Sequence, residues 1–283
     1  MEPNALGLFV GGRSVFHLTT LLAQKRPASI VIGVSGTDSA VASLMCYRAI
    51  QIADIDCRLH LVHFGAPFPP EGRSEEDVAR ILQTSPSFRW VPRVLMPWLA
   101  KQLPNAIVET RAAPAPGDDY SRWSELFRIS KLDDGWVAAP INATETFLGN
   151  YSNLAKAASL WPIADLWKSD VLDVCREAGV PQIAIDNARQ ADCDCGRDDL
   201  AAAHIVDIDL IIGYSRGLIP ASNIRAVLDA DVLPALARYV RDCLANQGFK
   251  AETPYVSGFE RQDDRREYAR TEALRRLEVL AHG

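Results

Sequence analysis

Residues 30–45 (IVIGVSGTDSAVASLM) carry a short, continuous, β-branched stretch into Ser35, Gly36, Thr37, Asp38 and Ser39. Apolar residues then recur at helical spacing. Successive backbone N–H groups in a Gly/Ser turn, backed by a helix N-terminus, form an anion site. The hydroxyls of Ser35, Thr37 and Ser39 add donors, and a carboxylate such as Asp38 can hold a Mg²⁺ that neutralises phosphate charge. The same residue types also build an ordinary strand-to-helix turn, so the loop by itself leaves both readings open. It is neither a G-x-x-x-x-G-K-[ST] loop nor a G-x-G-x-x-G dinucleotide fingerprint.

A second place where chemistry is conceivable is ADCDCGRDD, residues 191–199. Cys193 and Cys195, one residue apart, could carry a persulfide or form a transient disulfide. Arg189 or Arg197 would favour a thiolate, while Asp192 and Asp194 would oppose it. Against this stands the plain reading of two loop cysteines. C-x-C is a weak metal signature, to which His204 is a conceivable further ligand or an ordinary helix residue. Of the six cysteines, Cys46 and Cys175 lie in apolar helical patterns and read as core thiols. With no pair of C-x-x-C motifs, a structural zinc site is not expected.

The elements that must position these residues alternate. A first helix is expected at about 14–25, strands in SIVIGVSG and CRLHLVHFGAP, and helices in SAVASLMCYRAIQ and in SEEDVARILQ with Ser74 as N-cap. FRWVPRVLM reads as a strand, RAAPAPGDDYS as a loop, SRWSELFRISKL as a helix and GWVAAPIN as a fourth strand. ATETFLGNYSNLAKAASL reads as a helix or helix-loop. KSDVLDVCREAG reads as a helix stopped by Gly179 with Pro181 beyond. From about 198 the chain is mainly helical and ends in a charged helix expected to be exposed. Alternating strands and helices predict an α/β fold, an open, doubly wound parallel sheet of about five strands with a helical C-terminal extension. We expect one domain over 1–283, with its core at about 14–220 and the extension at about 221–283. Such sheets bind ligands beyond the carboxyl ends of their strands, where GVSGTDS lies.

The 283 residues carry a net charge of -6, which argues against a bulk nucleic-acid binder. No apolar run reaches the roughly 20 residues of a membrane span, and the start MEPNALGLFVGG lacks the basic region of a signal peptide. A soluble cytoplasmic protein is the expectation.

Residues 35–39 resemble the S-G-G-x-D-S loop of the PP-loop ATP pyrophosphatases, shortened here to S-G-T-D-S. Further segments, in chain order, resemble the ammonia-dependent NAD synthetases of that superfamily. NATETFLGNYSN (142–153) is similar to N-x-[ST]-E-x-x-x-G-x-x-[ST], and PIADLWKSDVLDVCREAGVP (162–181) to P-I-x-D-L-x-K-x-x-V with the following helix and G-[VI]-P. RDDLAAAHIVDIDLIIGYSRG resembles D-E-x-x-L-G-x-x-Y-x-x-I-D, and GFKAETP resembles a basic K-R-x-x-P motif. The resemblance implies ATP and Mg²⁺, a homodimer, and a reaction in which a carboxylate attacks the α-phosphate and ammonia displaces AMP. It implies Asp38 and Glu145 as metal carboxylates and Gly33, Ser35, Gly36, Thr37 and Ser39 as the phosphate cradle. Arg122, Asn142 and Thr144 would contact nucleotide, and Lys168 would bind substrate or phosphate.

The departures fall on the acceptor side. The family's G-T-x-N is here Ala139-Pro140-Ile141-Asn142, its Y-G-D turn is replaced by LAKAASLW, its R-x-R-M pair is reduced to SRWSELFR, and the second basic residue of K-R is Ala251. They imply a changed small-molecule substrate, a nucleotide or heterocycle. Three readings follow. The first is an ATP-dependent amide-forming ligase using ammonia. The second is a sulfur transferase in which Cys193 or Cys195 passes sulfur from a donor to an adenylated heterocycle or nucleotide. The third is a nucleotide-binding homologue without turnover.

Overall fold

The computed structural model of the protein describes residues 12–65, 90–112, 118–189, 199–247, 250 and 264–282. Four parallel strands form one sheet: β1 (Ser29–Gly33), β2 (Arg58–Gly65), β3 (Ile107–Ala112) and β4 (Trp136–Ala138), in the order β3-β2-β1-β4. Ile30 stands opposite both Leu59 and Trp136, so β1 is a central strand. A parallel bridge from Ala138 to Leu160 prolongs the sheet beyond β4. Among the described residues this gives four strands where about five were expected.

The helices are α1 (Gly12–Lys25), α2 (Thr37–Ala53), α3 (Met96–Gln102), α4 (Asp119–Leu132), α5 (Ala143–Leu148), α6 (Lys168–Ala178), α7 (Gln182–Asn187), α8 (Asp199–Ala203), α9 (Ile205–Ser215), α10 (Ala221–Val227), α11 (Leu233–Gln247) and α12 (Asp264–His282). Both faces of the sheet are covered, which is why β1 is apolar at successive positions rather than alternately. Ile30 and Ile32 enter a large cluster with α1, α2, α6, α9 and the C-terminal helices. Val31, Val62 and Phe64 enter a second cluster with Trp123, Leu126 and Ile129 of α4. Each fully buried aliphatic side chain contributes about 1.5–3 kcal/mol relative to exposure. Among the described residues, no helix is long and apolar enough to cross a membrane.

Two expectations are corrected. From Trp90 onward the stretch FRWVPRVLM is not a strand; Phe88 and Arg89 lie outside the described residues. There the chain forms a π-helical turn, Val91–Leu95, that runs into α3. Trp90, Val91, Leu95, Met96, Leu99 and Leu103 are buried at helical spacing, and Pro92 falls in the first turn, where its missing N–H costs nothing. The strand paired to β2 is instead IVETRA, at 107–112, an edge strand with a mixed polar pattern. The charged terminal helix is not exposed all round either: Ala273, Leu277, Leu280 and Ala281 of α12 are buried in the large cluster. The helix expected at Ser74 lies outside the described residues.

Gly149 ends α5 at φ 73°, and a Cβ there would sit 2.6 Å from the carbonyl oxygen of Gln247 on α11. Left-handed backbone and a backbone clash act together at this position. Gly149→Ala lowers stability by at least about 2 kcal/mol, read as a lower urea midpoint at unchanged m-value.

An ionic network joins β2, β3 and α4. Burial alone raises the Glu109 carboxyl. Its hydrogen bonds with His60 (2.6 Å) and Arg111 (2.7 Å) outweigh that and leave it below the usual range. Arg128, then Arg111, hold Glu125 low as well. Both folded-state values lie below the unfolded one. The stability they confer is therefore present above the ordinary glutamate value of 4.5 and is lost as pH falls through the folded values. Arg111→Met flattens the dependence of the melting temperature on pH below that value, while an unchanged slope contradicts this assignment.

Candidate functional site

The loop leaving β1 is shaped by one hydroxyl. Ser39 Oγ accepts from the Ser35 and Gly36 amides, at 3.0 and 3.1 Å, and donates to the Gly36 carbonyl at 2.9 Å. Gly36 is extended, at φ -179°, and a Cβ placed on it meets nothing within 4 Å. Ser35 is exposed beside this open space. Thr37 and Asp38 open α2, so a carboxylate stands at the positive end of a helix.

Two distant elements converge on Asp38. Its Oδ1 accepts from Asn142 Nδ2 at 2.7 Å, and its Oδ2 pairs with Lys168 Nζ. Lys168 Nζ also donates to Thr37 Oγ1 at 3.1 Å. The Lys168 side chain is 4% exposed and that of Asp38 is 19%, so the ion pair is largely withdrawn from water. Asn142 is the N-cap of α5. Its Oδ1 accepts from the Glu145 amide at 2.8 Å, and its own amide donates to Glu145 Oε2 at 3.2 Å. Asn142 thereby joins Asp38 to Glu145. Among the described residues, no group of three or more His, Cys, Asp or Glu side chains is placed so that it could hold a metal ion.

The expected residues fall into groups. Ser35, Gly36, Thr37, Asp38, Ser39, Asn142, Glu145 and Lys168 come together at the carboxyl end of β1. Thr144 is buried beneath them. Its hydroxyl donates to Asp209 and accepts from the Lys168 amide at 2.9 Å. Gly33 has a packing reason: a Cβ there would lie 3.1 Å from Leu126 Cδ1 on α4. Arg122 reaches the same end of the sheet from α4, pairs with Asp119 at 3.5 Å and acts electrostatically on His63. Cys193 and Cys195 lie outside the described residues. Cys175 is a core thiol pushed up to about 12, first by burial and then by the Asp38 charge. His204 pairs with Asp207 at 2.8 Å.

Two contributors, His63 and Asp209, were missed in the sequence. His63 Nδ1 meets the Val34 carbonyl at 2.8 Å and ties β2 to the loop; burial, aided by the Arg122 charge, holds it below the usual histidine range. Asp209 accepts from Thr144 and from the Ser169 amide at 2.8 Å. Its signal was present, since the family segment ends in Ile-Asp and Ile208-Asp209 close the matching stretch. Lys250, from the GFKAETP segment, donates to the Tyr151 carbonyl at 3.0 Å and packs over its ring, so the tail returns to the segment after α5.

No family model matches the chain. It is 28% identical over 177 residues to the NH(3)-dependent NAD(+) synthetase of Chlorobium phaeovibrioides, a match covering 61% of each chain. It is 27% identical over 182 residues to the NH(3)-dependent NAD(+) synthetase of Methanoregula boonei, covering 62% of this chain and 70% of that one. The match thus spans less than two thirds of the Chlorobium protein's length. The solved NMN synthetase from Francisella tularensis superposes with a TM-score of 0.53 at 16% identity, over 89% of this chain and all of that one, a likeness of fold. In sequence the chain is thus similar to ammonia-dependent NAD synthetases, and in fold to the solved NMN synthetase.

Proposed function

We propose that the protein is an ATP-dependent ligase that adenylates a carboxylate and passes the activated acyl group to ammonia, releasing AMP and pyrophosphate. One observation carries this reading. Residues from three separated segments, Asp38, Asn142 with Glu145, and Lys168, meet beside the open space at Gly36.

ATP is the substrate that fits the cradle. The Gly36 turn leaves room for phosphate oxygens, and the α2 N-terminus favours their charge. Lys168 neutralises Asp38 here, and its ammonium, which also reaches the Thr37 hydroxyl, is placed to meet an anion at the α2 N-terminus. Being buried and held at its base, it needs little reorganisation to stabilise charge developing on the α-phosphate. Two carboxylates linked by an asparagine form an oxygen donor set suited to Mg²⁺, and Asp38 and Glu145 would hold it. The ion, when bound, supplies further charge neutralisation at phosphate.

The acceptor differs from that of the relatives in this reading. Ala139 and Ile141, at the departures before Asn142, are buried in the core. Lys156 stands in the segment that replaces the Y-G-D turn, and its charge acts on Lys250. A basic pair on this side suits an acceptor carrying an anionic group.

The test incubates the protein with ATP, Mg²⁺, ¹⁵N-ammonium and a panel of nicotinate-type and related carboxylates. AMP, pyrophosphate and a ¹⁵N-amide are the expected products, undiminished in a Cys193→Ser/Cys195→Ser variant. ADP and phosphate, or turnover that needs either thiol, overturns the reading.

A further inference from the structure

We propose that Asp209, on a helix outside the phosphate loop, is a positioning residue for Lys168 and acts through the Thr144 hydroxyl. The inference rests on the ligase reading only for its catalytic arm.

Lys168 and Ser169 are the first residues of α6, whose opening amides have no partner within the helix. Neither amide is left to water. The Lys168 amide donates to Thr144 Oγ1 at 2.9 Å, and the Ser169 amide to Asp209 Oδ2 at 2.8 Å. The Thr144 hydroxyl in turn donates to Asp209 Oδ1 at 2.5 Å. One carboxylate on α9 therefore caps α6 twice, once directly and once through a threonine that is 2% exposed. Its charge also complements the helix dipole. The Ala143 amide, bonded to the Leu166 carbonyl at 2.7 Å, pins the same crossing from the side.

These bonds complete a circuit. Asn142 caps α5 and holds Asp38; Asp38 pairs with the Lys168 ammonium; Lys168 returns through its amide to Thr144, two residues after Asn142. A lysine side chain has many rotamers, so fixing its backbone against the element that holds its carboxylate partner narrows where the ammonium points. Burial raises the Asp209 carboxyl, and the bonds from Thr144 and Ser169 oppose that. Those bonds favour the ionised acceptor that the arrangement uses.

Three variants separate positioning from mere support: Thr144→Val, which keeps shape and removes the hydroxyl; Thr144→Ser, which restores it; and Asp209→Asn. The first readout needs no activity. Trace acetic anhydride labels each lysine according to its accessibility, with exposed Lys101 and Lys131 as internal standards. Lys168 labelling relative to those standards rises at least about 5-fold in Thr144→Val and Asp209→Asn through local opening, and stays at the wild-type value in Thr144→Ser. In the catalytic arm, kcat for pyrophosphate formation falls about 100-fold in the first two variants with KM for ATP little changed, and Thr144→Ser recovers it. Unchanged Lys168 labelling in Thr144→Val and Asp209→Asn overturns the proposal. So does a uniform rise at all lysines with loss of cooperative unfolding, which marks a purely structural role. If the wild-type protein releases no pyrophosphate, the ligase reading fails and the labelling arm alone decides the positioning claim.

Discussion

Asp38→Ala lowers pyrophosphate formation from ATP by about 1,000-fold while the chain stays folded. The carboxylate occupies a position that no neighbour can take over. It stands in the first turn of α2, receives Asn142 from α5 and pairs with Lys168 from α6. Removing it takes one of two carboxylates from the proposed metal set and frees the buried ammonium to turn toward Thr37 alone. Because Lys168 is almost fully buried, the variant also loses about 2 kcal/mol of stability, an effect that a thermal melt separates from the kinetic one. Activity within about 10-fold of wild type contradicts the assignment of Asp38.

The second large effect is a coupling. Lys168→Met keeps the aliphatic volume and leaves Asp38 without its cation; Asp38→Asn leaves the cation without its carboxylate. Each single change destabilises by about 1–3 kcal/mol, because a withdrawn charge is stranded. The double variant strands neither. It is less destabilised than the sum by about 1–3 kcal/mol, while all three variants remain inactive. Urea unfolding measures the first part and pyrophosphate release the second. Additive stabilities mean that the short Asp38–Lys168 contact carries no energetic coupling, and activity in the double variant removes both residues from the chemistry.

What was legible in the sequence followed from local pattern and chain order. A continuous apolar run specified β1 as buried on both faces, and Gly179 with Pro181 beyond it marked the end of α6. Edge strand β3 was not legible, because a strand exposed along one edge keeps Glu109, Thr110 and Arg111 among its apolar residues. The neighbouring FRWVPRVLM drew the strand assignment because Val, Trp and Phe favour strands, whereas its buried positions follow a helical period. Asp38, Asn142, Glu145 and Lys168 were singled out through the order of their motifs, and the fold shows that they meet, which spacing could not. Asp209 escaped because its partners lie 65 and 40 residues away and its motif gave it no role. Thr144 was expected against the nucleotide, but its one proton and the lone pair facing α6 are committed within the protein.

The central claim is that phosphate and metal meet at the carboxyl end of β1. A crystal structure with Mn²⁺ and a non-hydrolysable α,β-methylene analogue of ATP tests it most directly. Anomalous density for the metal is expected against Asp38 and Glu145, with phosphate oxygens beside Gly36 and Lys168 turned to the phosphate. Phosphates lodged elsewhere, or a metal held without either carboxylate, would contradict it.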